Sequence, residues 1–234
     1  MKEREFIGFL AENGLLLSER QIFRLERYQQ LLEEKNREIN LTAITEKEEV
    51  FEKHFLDSLL FSFGENMENK RCIDIGSGAG FPGLVVAICY PEVEMTLLEP
   101  IGKRCLFLNE VIRNLELDNV RVVHARSEEY CREHPEEFDL ALARGVSKLN
   151  VLLEIILPLL KVDGLFIALK GKIFQEEIDA SSRALKTLNA EIVRVREETL
   201  PTNREVRANL FIRKKSPTPK LYPRPYAKIK KKPL

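Results

Sequence analysis

Residues Cys72-Ile-Asp74-Ile-Gly76-Ser-Gly78-Ala-Gly80-Phe81-Pro82-Gly83 constrain the fold more than any other stretch of the chain. A short apolar run enters a turn with glycine at alternate positions, and an apolar helical segment follows. Glycine permits positive φ and lets a ligand approach the main chain without meeting a Cβ. Pro82 suits the first turn of the helix, where its missing N–H costs nothing. A strand, a glycine turn and a helix in that order indicate an open α/β sheet, which binds ligands outside the carboxyl ends of its strands.

The rest of the pattern agrees. From Arg71 onward, β-branched or Leu-rich runs predict strands near 71–75, 94–98, 120–124, 138–143, 165–169, 191–196 and 206–212. Helical segments fall between them, near 82–89, 103–115, 147–160 and 174–188. Buried runs such as Leu165 to Leu169, alternating with helices, make this a doubly wound α/β sheet. Residues 1–63 read instead as helices. Asn13-Gly14 ends one, and Ser18-x-x-Gln21 opens a second with Ile22, Leu25, Tyr28 and Leu32 in its stripe. Thr45-x-x-Glu48 has the form of another capping box, before Phe51, Phe55 and Leu59. The expected division is a helical cap over 1–64, a ligand-binding α/β unit over 65–214 and a Lys/Pro-rich tail over 215–234.

The chain has 37 basic and 37 acidic residues among 234, but they are unevenly placed. Ten basic residues and no acidic one lie between Val206 and Leu234, leaving 27 basic and 37 acidic in the rest. An acidic body with a basic end is the asymmetry expected of nucleic-acid contact. Arg207, Lys214, Lys215, Arg224, Lys230, Lys231 and Lys232 are the candidate phosphate contacts, with Tyr222 and Tyr226 interleaved for stacking. Apolar runs such as Leu84 to Tyr90 are too short for a membrane span. No signal-like segment opens the sequence, and four scattered cysteines suit reduced thiols, so a cytoplasmic protein is expected. Cys131-x-x-His134 has no second pair at ligand spacing, so no metal is expected. A monomer is the expected assembly.

Two ligands compete for the glycine turn. Gly78-x-Gly80-x-x-Gly83 matches the dinucleotide fingerprint, and Glu99 follows near the end of the second strand. Asp74, however, would face a pyrophosphate across a short distance, and a carboxylate there favours a cation. S-adenosylmethionine carries an ammonium and a sulfonium and no phosphate. The frame Asp74-x-Gly76-x-Gly78-x-Gly80, with Glu99 available to two ribose hydroxyls, fits it better.

The stretch 74–83 resembles the glycine-rich motif of S-adenosylmethionine-dependent methyltransferases. More narrowly, the chain is similar to the bacterial 16S ribosomal RNA guanine-N7 methyltransferases of the glucose-inhibited division protein B family. The narrower likeness rests on Asn40-Leu-Thr42-Ala-Ile44, His54-Phe-Leu-Asp57-Ser58, Glu99 with Lys103-Arg104, and Arg126-Ser-Glu128-Glu129. It rests also on Ala143-Arg144-Gly145, Lys170-Gly171, Tyr222-Pro223-Arg224 and Lys232-Pro233-Leu234. It spans nearly the whole chain. Ser127 stands where the family usually has Ala, and residues 225–231 depart from its usual Gly, Pro and Ser richness.

The resemblance implies a class I, Rossmann-like methyltransferase sheet with an N-terminal helical cap. Its cofactor would be S-adenosylmethionine and its substrate 16S rRNA or the 30S subunit, at N7 of a guanine in the 530 loop. It places Asp74, Gly76, Gly78, Gly80 and Phe81 along the cofactor, Glu99 on the ribose, and Ser127 and Glu128 beside the adenine. Arg144 would reach the methyl-transfer site as the catalytic residue. His54, Asp57 and Ser58 share one helix face, either to dock the cap on the sheet or to enter the substrate cleft. Two alternatives remain: a non-enzymatic RNA-binding protein that keeps the cofactor fold, and a ribose 2′-O-methyltransferase using Lys53, Asp139, Lys170 and Glu205.

Overall fold

The computed structural model describes residues 1–234. All seven expected strands are present: β1 (Arg71–Ile75), β2 (Glu94–Leu98), β3 (Val120–Val123), β4 (Phe138–Arg144), β5 (Leu160–Lys170), β6 (Ala190–Thr199) and β7 (Val206–Lys214). They form one sheet in the order β3-β2-β1-β4-β5-β7-β6. The first five are mutually parallel, and β7 inserts antiparallel between β5 and β6. The central strands are buried on both faces, which is why they read as continuous apolar runs. The order reverses between β1 and β4, so the crevice for a ligand lies at their carboxyl ends.

Two apolar cores flank the sheet. The first joins Phe6, Tyr28, Phe51 and Phe55 from the N-terminal region to Leu84, Leu97 and Phe107. Phe6 and Phe51 meet edge to face at 5.4 Å, and Phe51 and Phe55 at 5.1 Å, favourable arrangements for aromatic pairs. The expected boundary at 64/65 is therefore a change of secondary structure within one core, not a division between cores. The second core packs Leu149 to Ile156 and Leu188 against the opposite face, and it includes Ile229 from the tail.

The tail is not a separate appendage. Residues Tyr226–Lys231 form a helix with Ile229 fully buried. Ahead of it, Arg224 donates from Nε and Nη2 to the two oxygens of Glu154, at 2.7 and 2.6 Å. Glu154 is 0% exposed. A buried carboxylate needs such a partner, and the two-pronged guanidinium geometry meets it.

Several local expectations shift. Ser18 and Gln21 form the reciprocal capping box, but Thr45 does not cap; the next helical run begins at Lys47 after Glu46. Pro82 precedes the helix Gly83–Cys89 instead of lying in its first turn, and its bond to Phe81 is cis. The segment 147–160 is helical only from Leu149, tightening to a 3₁₀ turn at Leu157–Leu159. Residues 174–188 divide into two short helices around Ala180–Ser181. Ser181 Oγ donates to the Glu177 carbonyl at 2.6 Å, a side-chain bond that competes with the helical ladder.

Candidate functional site

The glycine turn leaves β1 with Gly76, Gly78 and Gly80 at φ 69°, 60° and 104°. At Gly76 and Gly80 the absence of a side chain is also a matter of space. A Cβ on Gly76 would come within 2.9 Å of Val146, from the loop after β4. One on Gly80 would meet Leu84 at 2.4 Å and the Tyr28 hydroxyl at 2.6 Å. Tyr28, fully buried, donates to the Ala79 carbonyl at 2.5 Å. The N-terminal region thus supports the turn from below. Sequence reasoning missed this role: Tyr28 stood only as one apolar position of a helical stripe.

Glu99 directly follows the second strand and is 1% exposed. Its Oε2 accepts from Gly78 N at 2.8 Å and its Oε1 from Ile101 N at 2.9 Å. One carboxylate therefore joins the glycine turn to the loop after β2. Each oxygen keeps a second acceptor site. Asp74 lies deeper, at 0% exposure. Its Oδ2 accepts from Gly83 N at 3.1 Å, and its Oδ1 has no partner. Burial pushes its carboxyl up to about 7, against the lowering effects of the Gly83 N–H and of the more distant Arg144 charge.

Ser127 and Glu128 lie just after β3 and are buried. Ser127 Oγ is turned to the Ile155 carbonyl at 2.5 Å. Phe81 is also buried, so its ring is a support and not an open wall. It stacks on His54 at 4.3 Å between ring centres, with the Arg144 guanidinium 5.1 Å away.

Arg144, at the end of β4, is the centre of the site. Its Nη1 donates to the Lys53 carbonyl at 3.1 Å and to Asp57 Oδ2 at 2.9 Å. Its Nη2 meets His54 Nδ1 at 3.1 Å. A guanidinium can only donate, so Nδ1 accepts and the proton sits on Nε2, which donates to Thr42 Oγ1 at 2.9 Å. Burial and the Arg144 charge lower His54 to about 3, which keeps it neutral. Asp57 Oδ1 pairs with Arg207 Nε at 3.0 Å. His54 lies in the π-helical stretch Val50–Leu56, directly followed by Asp57, the kind of irregularity often found at functional sites.

Arg144, Arg207 and Asp57 line a cavity of about 450 Å³ at the ends of β4 and β5, with Val146, Lys148 and Lys170. Another crevice, lined by Arg71, Glu94 and Arg121, lies at the amino ends of the strands. That is the wrong edge of the sheet for a ligand. Asp139 lies on that wrong edge as well, bonded to Lys161 at 2.7 Å and to Arg71 N at 2.9 Å. It cannot join Lys170, 2.8 Å from the Ser147 carbonyl at the opposite edge, so the ribose-methylating quartet does not assemble. Nowhere do three His, Cys, Asp or Glu side chains gather as metal ligands. No helix is long and apolar enough to cross a membrane.

The basic residues divide. Lys214 is 0% exposed, with Nζ on Glu136 at 2.9 Å and on the Leu160 carbonyl at 2.7 Å. The expectation that it contacts phosphate is corrected, since it is a buried partner of the second core. Arg224, partly exposed, is paired with Glu154. Arg207 lines the cavity. Lys215 is exposed and pairs with Glu191 at 3.0 Å. Lys230, Lys231 and Lys232 are exposed without an ion pair.

The model of the family described as rRNA small subunit methyltransferase G matches residues 21–206. The ribosomal RNA small subunit methyltransferase G of Bacillus velezensis is 41% identical over 237 aligned residues, covering 100% of this chain and 99% of that protein. That of Thermoanaerobacter pseudethanolicus is 44% identical, covering 95% of this chain and 94% of its own. Among solved structures, M. jannaschii TYW2 in complex with AdoMet superposes with a TM-score of 0.58 at 14% identity, over 74% of this chain and 79% of that one. The precorrin-6y C5,15-methyltransferase of Geobacter metallireducens gives 0.50 at 16%, over 74% and 90%. These structural likenesses speak for the fold.

Proposed function

Because the chain belongs to the rRNA small subunit methyltransferase G family, we propose that it transfers a methyl group from S-adenosylmethionine to N7 of a guanine in the 530 loop of 16S rRNA. The observation that carries this reading is the juxtaposition at one sheet edge. Glu99 is bonded to the glycine turn, and the clamped Arg144 faces a nucleotide-sized cavity. The residues present fit the cofactor. At Gly78, φ 60°, nothing lies closer than 3.8 Å to where a Cβ would stand, so the main chain of the turn is open there. Asp74 Oδ1 is an unpartnered buried acceptor suited to a cation, and Glu99 keeps acceptor sites for a diol.

When bound, S-adenosylmethionine supplies an electrophilic methyl group on sulfur. Guanine N7 offers an exposed lone pair on the major-groove edge, so no base need remove a proton first. The site agrees with that chemistry. His54, the one nearby imidazole, has both ring nitrogens engaged, by Arg144 and by Thr42. Arg144 donates three N–H bonds within the protein and keeps two of its five for substrate. What this chain supplies is orientation and exclusion of water, worth ~7–11 kcal/mol in well-aligned systems. Exposed Lys230, Lys231 and Lys232, with Arg207 at the cavity, would hold the RNA backbone.

The test is transfer of tritiated methyl groups to 30S subunits and to naked 16S rRNA from a strain lacking the modification. Label at guanine N7 in the 530 loop is expected. Label at another atom would overturn the assignment, and cofactor binding without transfer would favour the RNA-binding module.

A further inference from the structure

We infer that His54 and Asp57, from the N-terminal helical region, are positioning residues for Arg144, so that this region is a working part of the methyl-transfer site. The inference rests on the proposed role of Arg144 in that reaction.

Arg144 stands at the end of β4, where a long, flexible side chain could sample many rotamers. Three acceptors remove that freedom, and all come from one short helical stretch: the Lys53 carbonyl at 3.1 Å, His54 Nδ1 at 3.1 Å and Asp57 Oδ2 at 2.9 Å. The acceptors are themselves held. His54 is locked by Thr42 at 2.9 Å and by stacking on Phe81 at 4.3 Å. Thr42 is fixed in turn by Asn36, whose Oδ1 accepts from its N–H at 2.8 Å and whose Nδ2 donates to its carbonyl at 2.9 Å. Asp57 shares its second oxygen with Arg207. The series of bonds runs from Asn36 to Arg144 without a gap. Supporting shells of this kind keep a functional group within the tolerance that chemistry demands.

A purely structural clamp would place these bonds away from the ligand side. Here Asp57, Arg144 and Arg207 all line the cavity at the ends of β4 and β5. One carboxylate therefore orients two guanidiniums toward the same space. Misplacement of a reacting group by about 1 Å can lower a rate by about 10²-fold, so loosening the clamp should act on turnover.

The two nitrogens of His54 allow a specific test. Asparagine can place an amide oxygen where Nδ1 stands, whereas glutamine reaches to the position of Nε2. His54→Asn should therefore keep the bond to Arg144, and His54→Gln should keep only the one to Thr42. Methyl transfer to the rRNA substrate is measured for both, with cofactor affinity by calorimetry and melting temperature alongside. The expected result is that His54→Gln lowers kcat by about tenfold or more, with KM, cofactor affinity and melting little changed, and that His54→Asn restores most of it. Asp57→Asn should lower kcat similarly. Equal activity of the two His54 variants, or losses that simply follow melting temperature, would overturn the inference. Should both His54 variants fold poorly, wild-type kcat in Asp57→Asn overturns it. Full activity in Arg144→Lys would refute the role of Arg144 while leaving guanine methylation standing. Absence of transfer by the unaltered protein would refute the functional reading itself.

Discussion

Asp74 accepts a hydrogen bond from the Gly83 main chain at 3.1 Å, while its other oxygen, equally buried, meets no partner. The bond ties the end of β1 to the start of the next helix. The free oxygen faces the consequence of burial, a carboxyl pushed up from 3.8 to about 7. The raised value means that the protonated form is favoured in the folded state. Its contribution to stability is complete below the unfolded value, near 3.8, and is lost as pH rises toward and through about 7.

A bound cation favours the charged carboxylate. Affinity for S-adenosylmethionine should therefore rise with pH between about 5.5 and 7.5, with release of a proton on binding, because Asp74 titrates near 7. Calorimetry in buffers of different ionisation enthalpy measures that proton. Asp74→Asn should flatten the dependence and weaken binding at the upper end. An unchanged profile in the variant would assign the proton elsewhere.

Glu99→Ala should weaken cofactor binding and leave RNA affinity nearly intact. It also removes the acceptor for both Gly78 N and Ile101 N. Loss of such bonds usually costs about 1–3 kcal/mol when donors remain buried. Cofactor titration, RNA filter binding and denaturant unfolding together separate the two effects.

Two glycines give opposite expectations for alanine. A Cβ on Gly83 would lie 2.4 Å from Leu97 and 2.8 Å from Asp74, so Gly83→Ala should destabilise by about 1–3 kcal/mol. Gly8 lies within the helix Glu3–Glu12 with nothing within 4 Å of a new Cβ. There, alanine should stabilise by about 0.5–1 kcal/mol. Urea unfolding of both variants provides the comparison.

Replacing Lys230, Lys231 and Lys232 by glutamine should weaken RNA binding and flatten its salt dependence. The slope of log K against log salt should fall in magnitude by ~0.7–0.9 for each phosphate that is no longer neutralised. Lys214→Gln should leave the slope unaltered and lower the melting temperature, since its ammonium is buried against Glu136 and Leu160. A slope unchanged by the triple substitution would remove the last helix from the RNA interface.

The strands were legible because a parallel sheet buried on both faces writes itself as short apolar runs; Leu140 to Ala143 and Leu165 to Leu169 are examples. The glycine turn and Glu99 were legible because backbone conformation and strand ends leave local marks. The clamp was only half legible. His54 and Asp57 were visible as a pair on one helix face, but their partner Arg144 lies 90 and 87 residues away in sequence. No local pattern says which of several arginines will close such a distance. The basic end misled for a related reason. Charge counting treats Lys214 and Lys230 alike, although one is inside the second core and the other is outside it.

Glu154 has a consequence for the order of events during synthesis. It is made 70 residues before Arg224, the partner that neutralises it inside the protein. Until Arg224 and Ile229 emerge from the ribosome, the helix Leu149–Ile156 carries an unpaired carboxylate and an uncovered apolar seat. Arrival of residues 224–229 neutralises that carboxylate and covers that seat together, so the second core reaches its final packing through a contact between segments made far apart in time.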